Sequence, residues 1–187
     1  MKIAITGHTA GIGKSFATQL SQRGHSIVGI SRRGGENIRR IVHTASIIEP
    51  CDLFINNAQT GYAQTELLYE VWSRWQGKER YIWNISTRMT ELPTNTTPDG
   101  QSDIIMNQYR NQKLALEVAS RQLRFKNSWP QISVIRPGGV ATQKNFANTD
   151  KSDVDLWVKS IIDTFSHNDN ISISEISVGY TDRRIPI

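Results

Sequence analysis

The chain has one cysteine, Cys51, among its 187 residues. A lone thiol closes no intrachain disulfide and leaves no cysteine set for zinc. The histidines, His8, His25, His43 and His167, fall at no spacing that suits metal ligands, so no metal site is expected. Long apolar runs are also missing, as is a charged-then-apolar leader. Neither a membrane span nor export is therefore expected, and a cytoplasmic location is. Charge is not concentrated either: 22 Lys and Arg against 17 Asp and Glu leave a net +5, and the basic residues are scattered along the chain. Such a surface attracts anionic ligands, but no nucleic-acid-binding module accompanies it and no nucleic-acid partner is expected. Hydrophobic residues at 37% and charged residues at 21% describe an ordinary globular chain, long enough to bury one substantial core.

What the chain does have is concentrated at Lys2–Ser15, KIAITGHTAGIGKS. A short apolar strand runs into Gly7, Gly11 and Gly13, followed by Phe16, Ala17 and Leu20 at helical spacing. Strand, glycine turn and helix N-terminus together present unpaired N–H groups and the positive end of a helix dipole to a phosphate. GIGKS invites a nucleoside-triphosphate loop, but that motif needs a glycine where His8 stands. The spacing Gly-x-x-x-Gly-x-Gly, led by Thr6, instead resembles the cofactor turn of the short-chain dehydrogenase/reductase family. The resemblance implies that Gly7, His8, Thr9, Gly11, Ile12 and Gly13 line a dinucleotide.

Ser26–Ser31 reads as a second strand, completing a βαβ unit of about thirty residues. An acid after this strand would hold both ribose hydroxyls of NAD. Here the residues are Ser31, Arg32 and Arg33, with no acid before Glu36. A guanidinium pairs with a phosphate that a carboxylate would repel, so NADP(H) is favoured over NAD(H). The alternative is a capping serine beside solvated arginines. Glu36–Glu49 carries a helical apolar stripe, Pro50 ends it, and Asp52–Ile55 reads as the next strand, leaving hardly room for the extra strand usual in the family. Asn56-Asn57-Ala58-Gln59 resembles the family's Asn-Asn-Ala-Gly element, which implies that Asn57 and Ala58 line the cofactor cleft.

Thr65–Trp75 is helical, with a tryptophan-rich stripe suited to core or subunit contact. Tyr81–Ile85 forms a strand that delivers Ser86 and Thr87 at its C-terminal end, where open α/β sheets place ligands. Aligned on Asn84-Ile85, Thr87 takes the position of the family's catalytic serine, with Ser86 the alternative. The family also has a helix asparagine in a water-linked proton path; no asparagine lies between Asn57 and Asn84 to take that role. Met89–Ser102 is a polar loop, either covering substrate or a disordered insertion.

A helix from Asp103 to about Phe125 carries Tyr109 and Lys113, one turn apart on the same side. The order hydroxyl, Tyr-x-x-x-Lys, then Pro-Gly resembles the family's active site. An unaided phenol titrates near 10, and a nearby ammonium would draw it towards neutrality. The resemblance implies that Tyr109 passes a proton to the substrate oxygen, Lys113 tunes it and binds the nicotinamide ribose, and Thr87 or Ser86 holds the same oxygen. After the strand Gln131–Ile135, the turn Arg136–Thr142 resembles the family's Pro-Gly-x-x-x-Thr element and implies nicotinamide contacts from Pro137, Gly138, Val140 and Thr142. Gln143–Asp153 is polar and matches the substrate loop by position; Val154–Phe165 reads as a helix and Ile171–Val178 as a last strand.

The expected fold is α/β: a doubly wound, mostly parallel Rossmann-type sheet in a single three-layer α/β/α domain spanning 1–187. Its cofactor half covers about 1–85 and its catalytic and substrate half about 86–187. The implied function is NADP(H)-dependent carbonyl–alcohol interconversion on a small molecule by a homodimer or homotetramer. A catalytically silent NADP(H)-binding regulator or scaffold of the same fold is the alternative.

Overall fold

The structure, a computed structural model, describes residues 1–91, 103–141, 152–166 and 172–179. Six strands form one wholly parallel sheet: β1 (Lys2–Thr6), β2 (Ser26–Ile30), β3 (Leu53–Asn56), β4 (Tyr81–Ile85), β5 (Gln131–Pro137) and β8 (Glu175–Val178), in the order β2-β1-β3-β4-β5-β8. Between β5 and β8, β6 (Val140–Ala141) pairs with β7 (Ser152–Asp153) as a separate ribbon. No strand lies between Ile30 and Leu53, as the short connection implies.

Alternation along each strand divides the core in two. Ile3, Ile5, Leu53, Ile55, Trp83 and Ile85 face α1 (Gly11–Gln22) and α5 (Val154–Ser166). Ala4, Phe54, Ile82 and Ile132 face α2 (Ile41–Ile48), α3 (Ala63–Trp75) and α4 (Asp103–Arg124). Phe16 of α1 meets Trp83 at 6.2 Å and Trp157 of α5 edge-on at 6.4 Å, tying both helices to the sheet. Each such pair contributes about 0.5–1.5 kcal/mol beyond area burial.

The helix expected over Glu36–Glu49 is shorter. Asn37 makes a local turn, accepting from Arg39 N at its side chain (3.0 Å) and from Arg40 N at its carbonyl (2.8 Å), so α2 begins at Ile41. Side chains of this type compete with the helix for backbone partners. The helix that carries Tyr109 spans Asp103–Arg124 as expected. The strand expected from Ile171 forms its ladder over Glu175–Val178, and Ile171 itself lies outside the described residues. So do residues 92–102 of the polar loop, Thr142, and 143–151 of the substrate-loop segment. Among the described residues no helix is long and apolar enough to cross a membrane.

Candidate active site

The site assembles at the C-terminal ends of β1, β3, β4 and β5. At β1 the chain turns at Gly7, whose φ is 73°. A Cβ on Gly13 would stand 2.3 Å from the Gly7 carbonyl oxygen and 2.7 Å from Asn57 Nδ2, so only glycine lets α1 start this close to β1. Asn57 closes the same turn: its Nδ2 donates to the Thr6 carbonyl (3.0 Å), while the Thr6 hydroxyl accepts from Asn57 N (2.9 Å) and Ala58 N (3.0 Å). Asn57 thus spends its amide on the glycine turn. Ala10, the N-cap of α1, offers no capping side chain, which leaves the helix N–H groups for an anion.

Beside this turn lies a groove of about 350 Å³ lined by Gly7, Thr9, Ala10, Ile30, Ser31, Arg32, Arg33, Glu36, Asn37, Ile38, Ala58, Gln59 and Thr60. Of the expected cofactor residues it brings together Gly7, Thr9, Ser31, Arg32, Arg33 and Ala58. His8, Gly11, Ile12, Gly13, Asn57, Tyr109, Lys113, Pro137, Gly138 and Val140 do not line it. The His8 ring packs on Gly29, where a Cβ would come within 2.5 Å. Ser31 does cap a turn, the 3-10 segment Arg32–Gly34, by accepting from Gly34 N (3.2 Å), yet its hydroxyl proton stays available to the groove. Glu36 is an addition: an acid in the groove, hydrogen-bonded to His43 (3.0 Å). A dinucleotide suits this groove: an uncapped helix start stands beside a glycine turn, which a diphosphate requires, and Ser31, Arg32 and Arg33 add hydrogen-bond donors and positive charge.

Thr87 and Ser86 part company at the end of β4. Ser86 continues the row of Ile82 and Asn84 towards α4; it is buried, and its hydroxyl donates to Glu117 (2.5 Å). Thr87 instead acts on the Tyr109 phenol, favouring its ionised form, and its Oγ1 accepts from Met89 N (3.3 Å). Burial pushes that phenol above its ordinary range, with the Thr87 contact opposing. Lys113 Nζ sits 5.7 Å from the Tyr109 ring centroid and donates to the Ile85 carbonyl (2.7 Å) and to Gln64 Oε1 (2.9 Å). Burial lowers its proton affinity to about 7, partly offset by Glu117. In the ligand-free protein burial is the largest influence at both groups: it raises the Tyr109 phenol, with Thr87 opposing, and lowers the Lys113 amine, with Glu117 opposing.

Two parts of the site escaped the sequence reading. Gln64, in the first turn of α3, holds Lys113; a glutamine in register with the stripe Leu67, Leu68, Val71, Trp72 and Trp75 was the available signal. Glu117, 2% exposed, accepts from Ser86, Thr90 and Arg136, and Arg136 also bonds Glu175 (2.5 Å), pinning α4 to β5 and β8. At the end of β5, Gly138 N donates to the Val178 carbonyl (2.8 Å), and Val140 lies in the ribbon with Ser152. Among the described residues no group of three or more His, Cys, Asp or Glu is placed to hold a metal.

No protein-family model and no curated protein match the sequence. Solved structures do match the fold. An alcohol dehydrogenase from the archaeon Thermococcus sibiricus, complexed with 5-hydroxy-NADP, is similar at a TM-score of 0.75 and 13% identity, over 100% of this chain and 99% of that one. A short-chain dehydrogenase from Burkholderia cenocepacia J2315 in complex with NADP is similar at 0.75 and 14%, over 96% and 88%. The 3-alpha-hydroxysteroid dehydrogenase from Pseudomonas sp. B-0831, complexed with NADH, is similar at 0.65 and 16%, over 95% of each chain. The chain has the fold of the short-chain dehydrogenases and reductases.

Proposed function

We propose that the protein is an NADP(H)-dependent oxidoreductase that interconverts a carbonyl and an alcohol on a small molecule. The observation that carries the reading is Tyr109, its phenol influenced by Thr87 and its ring centroid 5.7 Å from the Lys113 amine, at the same end of the sheet as the glycine turn. The turn at Gly7–Gly13 and the start of α1 would hold the diphosphate, and Ser31 and Arg32, with Arg33, the 2′-phosphate. Lys113 would reach the ribose, and the segment Pro137–Val140, continuing to Thr142, the carboxamide. Bound there, the nicotinamide supplies or takes the hydride.

The chain's own residues handle the oxygen. Thr87 donates a hydrogen bond to the substrate oxygen and stabilises charge that develops on it. Tyr109, a neutral phenol whose raised proton affinity keeps it protonated, gives its proton to that oxygen in reduction and takes it back in oxidation. Lys113 in its ammonium form favours the transient phenolate. Two of the similar structures hold NADP or its 5-hydroxy form and one holds NADH; the arginines beside Ser31 favour the phosphorylated cofactor here.

Tyr109→Phe is expected to abolish NADPH-dependent reduction across a panel of ketones and aldehydes while NADPH binding, followed by fluorescence, is nearly unchanged. Turnover equal to the wild type would refute the assignment. A second reading, a silent NADP(H)-binding regulator, is favoured by one feature: Lys113 spends two hydrogen bonds on Gln64 and Ile85. It predicts tight NADPH binding with no turnover in the wild type.

A further inference from the structure

Just before the apolar stripe of α3 stands Gln64, 2% exposed. Its amide is held at both ends. Nε2 donates to the carbonyl oxygens of Asn56 (2.6 Å) and Ile85 (3.1 Å), and Oε1 accepts from Lys113 Nζ (2.9 Å). The reverse orientation would set an amide oxygen against two carbonyl oxygens and an NH₂ group against the amine, so the nitrogen end dictates which atom meets Lys113. That end is braced from below. Asn56 Nδ2 donates to the Gln64 carbonyl (3.0 Å) and to Asn84 Oδ1 (2.9 Å), and Asn84 Nδ2 donates to Ser120 Oγ on α4 (2.9 Å).

We propose that Gln64 is a positioning residue of the reductase site, a fixed amide that holds the Lys113 amine against the end of β4 and keeps it protonated there. A hydrogen bond given by an ammonium is stronger than one given by a neutral amine, so an aimed acceptor favours the charged form. The groups facing the amine are few and named. From α3 comes Gln64, and from β4 the Ile85 carbonyl. From α4 itself come the neutral Tyr109 phenol and Glu117, whose carboxylate is shared with Ser86, Thr90, Arg121 of the same helix and, from β5, Arg136. Glu117 is already divided among four donors, so Gln64 is the acceptor whose removal Lys113 feels most directly. Burial alone drives the amine towards its neutral form; Gln64 opposes this by direct contact, without adding a charge.

The role rests on the reductase reading, but the pairing does not, so the decisive measurement uses ligand-free protein. Lysine is labelled with ¹³C at Cε, and Lys113 is titrated by NMR in the wild type, Gln64→Met and Gln64→Asn. The Lys113 midpoint is expected to fall by about one pH unit in Gln64→Met, a tenfold loss of proton affinity. Gln64→Asn, whose shorter amide withdraws the oxygen, is expected to move it the same way, and it keeps a polar group in place should Gln64→Met fail to fold. The alkaline limb of NADPH-dependent reduction is expected to shift down in parallel. Turnover with an unmoved midpoint in both variants would overturn the clamp and keep the reductase. A moved midpoint in a protein without turnover would keep the clamp and overturn its use in catalysis.

Discussion

Replacing Lys113 by methionine removes a buried amine while roughly keeping its volume, and the effect on stability should reverse with pH. The amine titrates at about 7 in the folded protein, against about 10.4 in an open chain. Below pH 7 both states carry the proton, and the folded state bears the whole penalty of a buried ammonium. Between pH 7 and about 10.4 the unfolded chain keeps its proton and the folded one releases it, so wild-type stability rises with pH. At 1.36 kcal/mol per unit, the gap of roughly three and a half units amounts to about 5 kcal/mol. Lys113→Met escapes that penalty but leaves Gln64 Oε1 without its donor, a loss of about 1–3 kcal/mol. The Ile85 carbonyl loses less, since Gln64 Nε2 still donates to it. The variant should therefore be more stable than the wild type at pH 6, by about 2–4 kcal/mol, and less stable at pH 10, by about 1–3 kcal/mol. Urea unfolding of both proteins from pH 6 to pH 10 measures this directly, and taking the difference cancels groups that titrate in common. Parallel curves across that range would refute the argument, because they would mean the folded state does not shift the lysine at all.

The two hydroxyls at the end of β4 should separate in kinetics: Thr87→Val is expected to lower kcat at least tenfold, whereas Ser86→Ala, which takes a donor from Glu117, should act mainly on melting temperature. In the groove, Arg32→Ala should weaken NADPH far more than NADH, and Glu36→Gln should tighten NADPH by removing a like charge from beside the 2′-phosphate; competitive binding of the two cofactors reads both. Glu175 is held at about 2, chiefly by Arg121 and then by Arg136 and Arg124 against the effect of burial. Its stabilisation is present above the ordinary carboxylate range and lost as pH falls from about 4.5 towards 2, so Glu175→Gln should be less stable at pH 7 and converge on the wild type in acid unfolding.

Much of the architecture was legible in the chain because it depends on local spacing. Ile3 and Ile5 alternate with Ala4, and that period alone sorts them onto opposite faces of a strand. The glycine turn, the Asn-Asn-Ala element, the hydroxyls after β4 and Tyr109 with Lys113 could be ordered along the sequence and assigned to one end of a parallel sheet. The stripe of α2 was readable too, but its start was not, since Asn37 turns the backbone locally through bonds from Arg39 N and Arg40 N that compete with the helix.

Other features were decided only when the elements packed. Gln64 and Lys113 are 49 residues apart; the register of α3 marks the glutamine as inward-facing, but only packing brings it to the lysine. Which of Ser86 and Thr87 turns to α4 follows from the pleat of β4 and from Glu117 waiting across it. Helical spacing put Tyr109 and Lys113 on one side of a helix; the depth at which they lie, and hence the direction in which each titrates, came from packing against the rest of the molecule. Periodicity and turn chemistry act over a few bonds and are written in the residues themselves, whereas desolvation and long-range hydrogen bonds belong to the packed molecule.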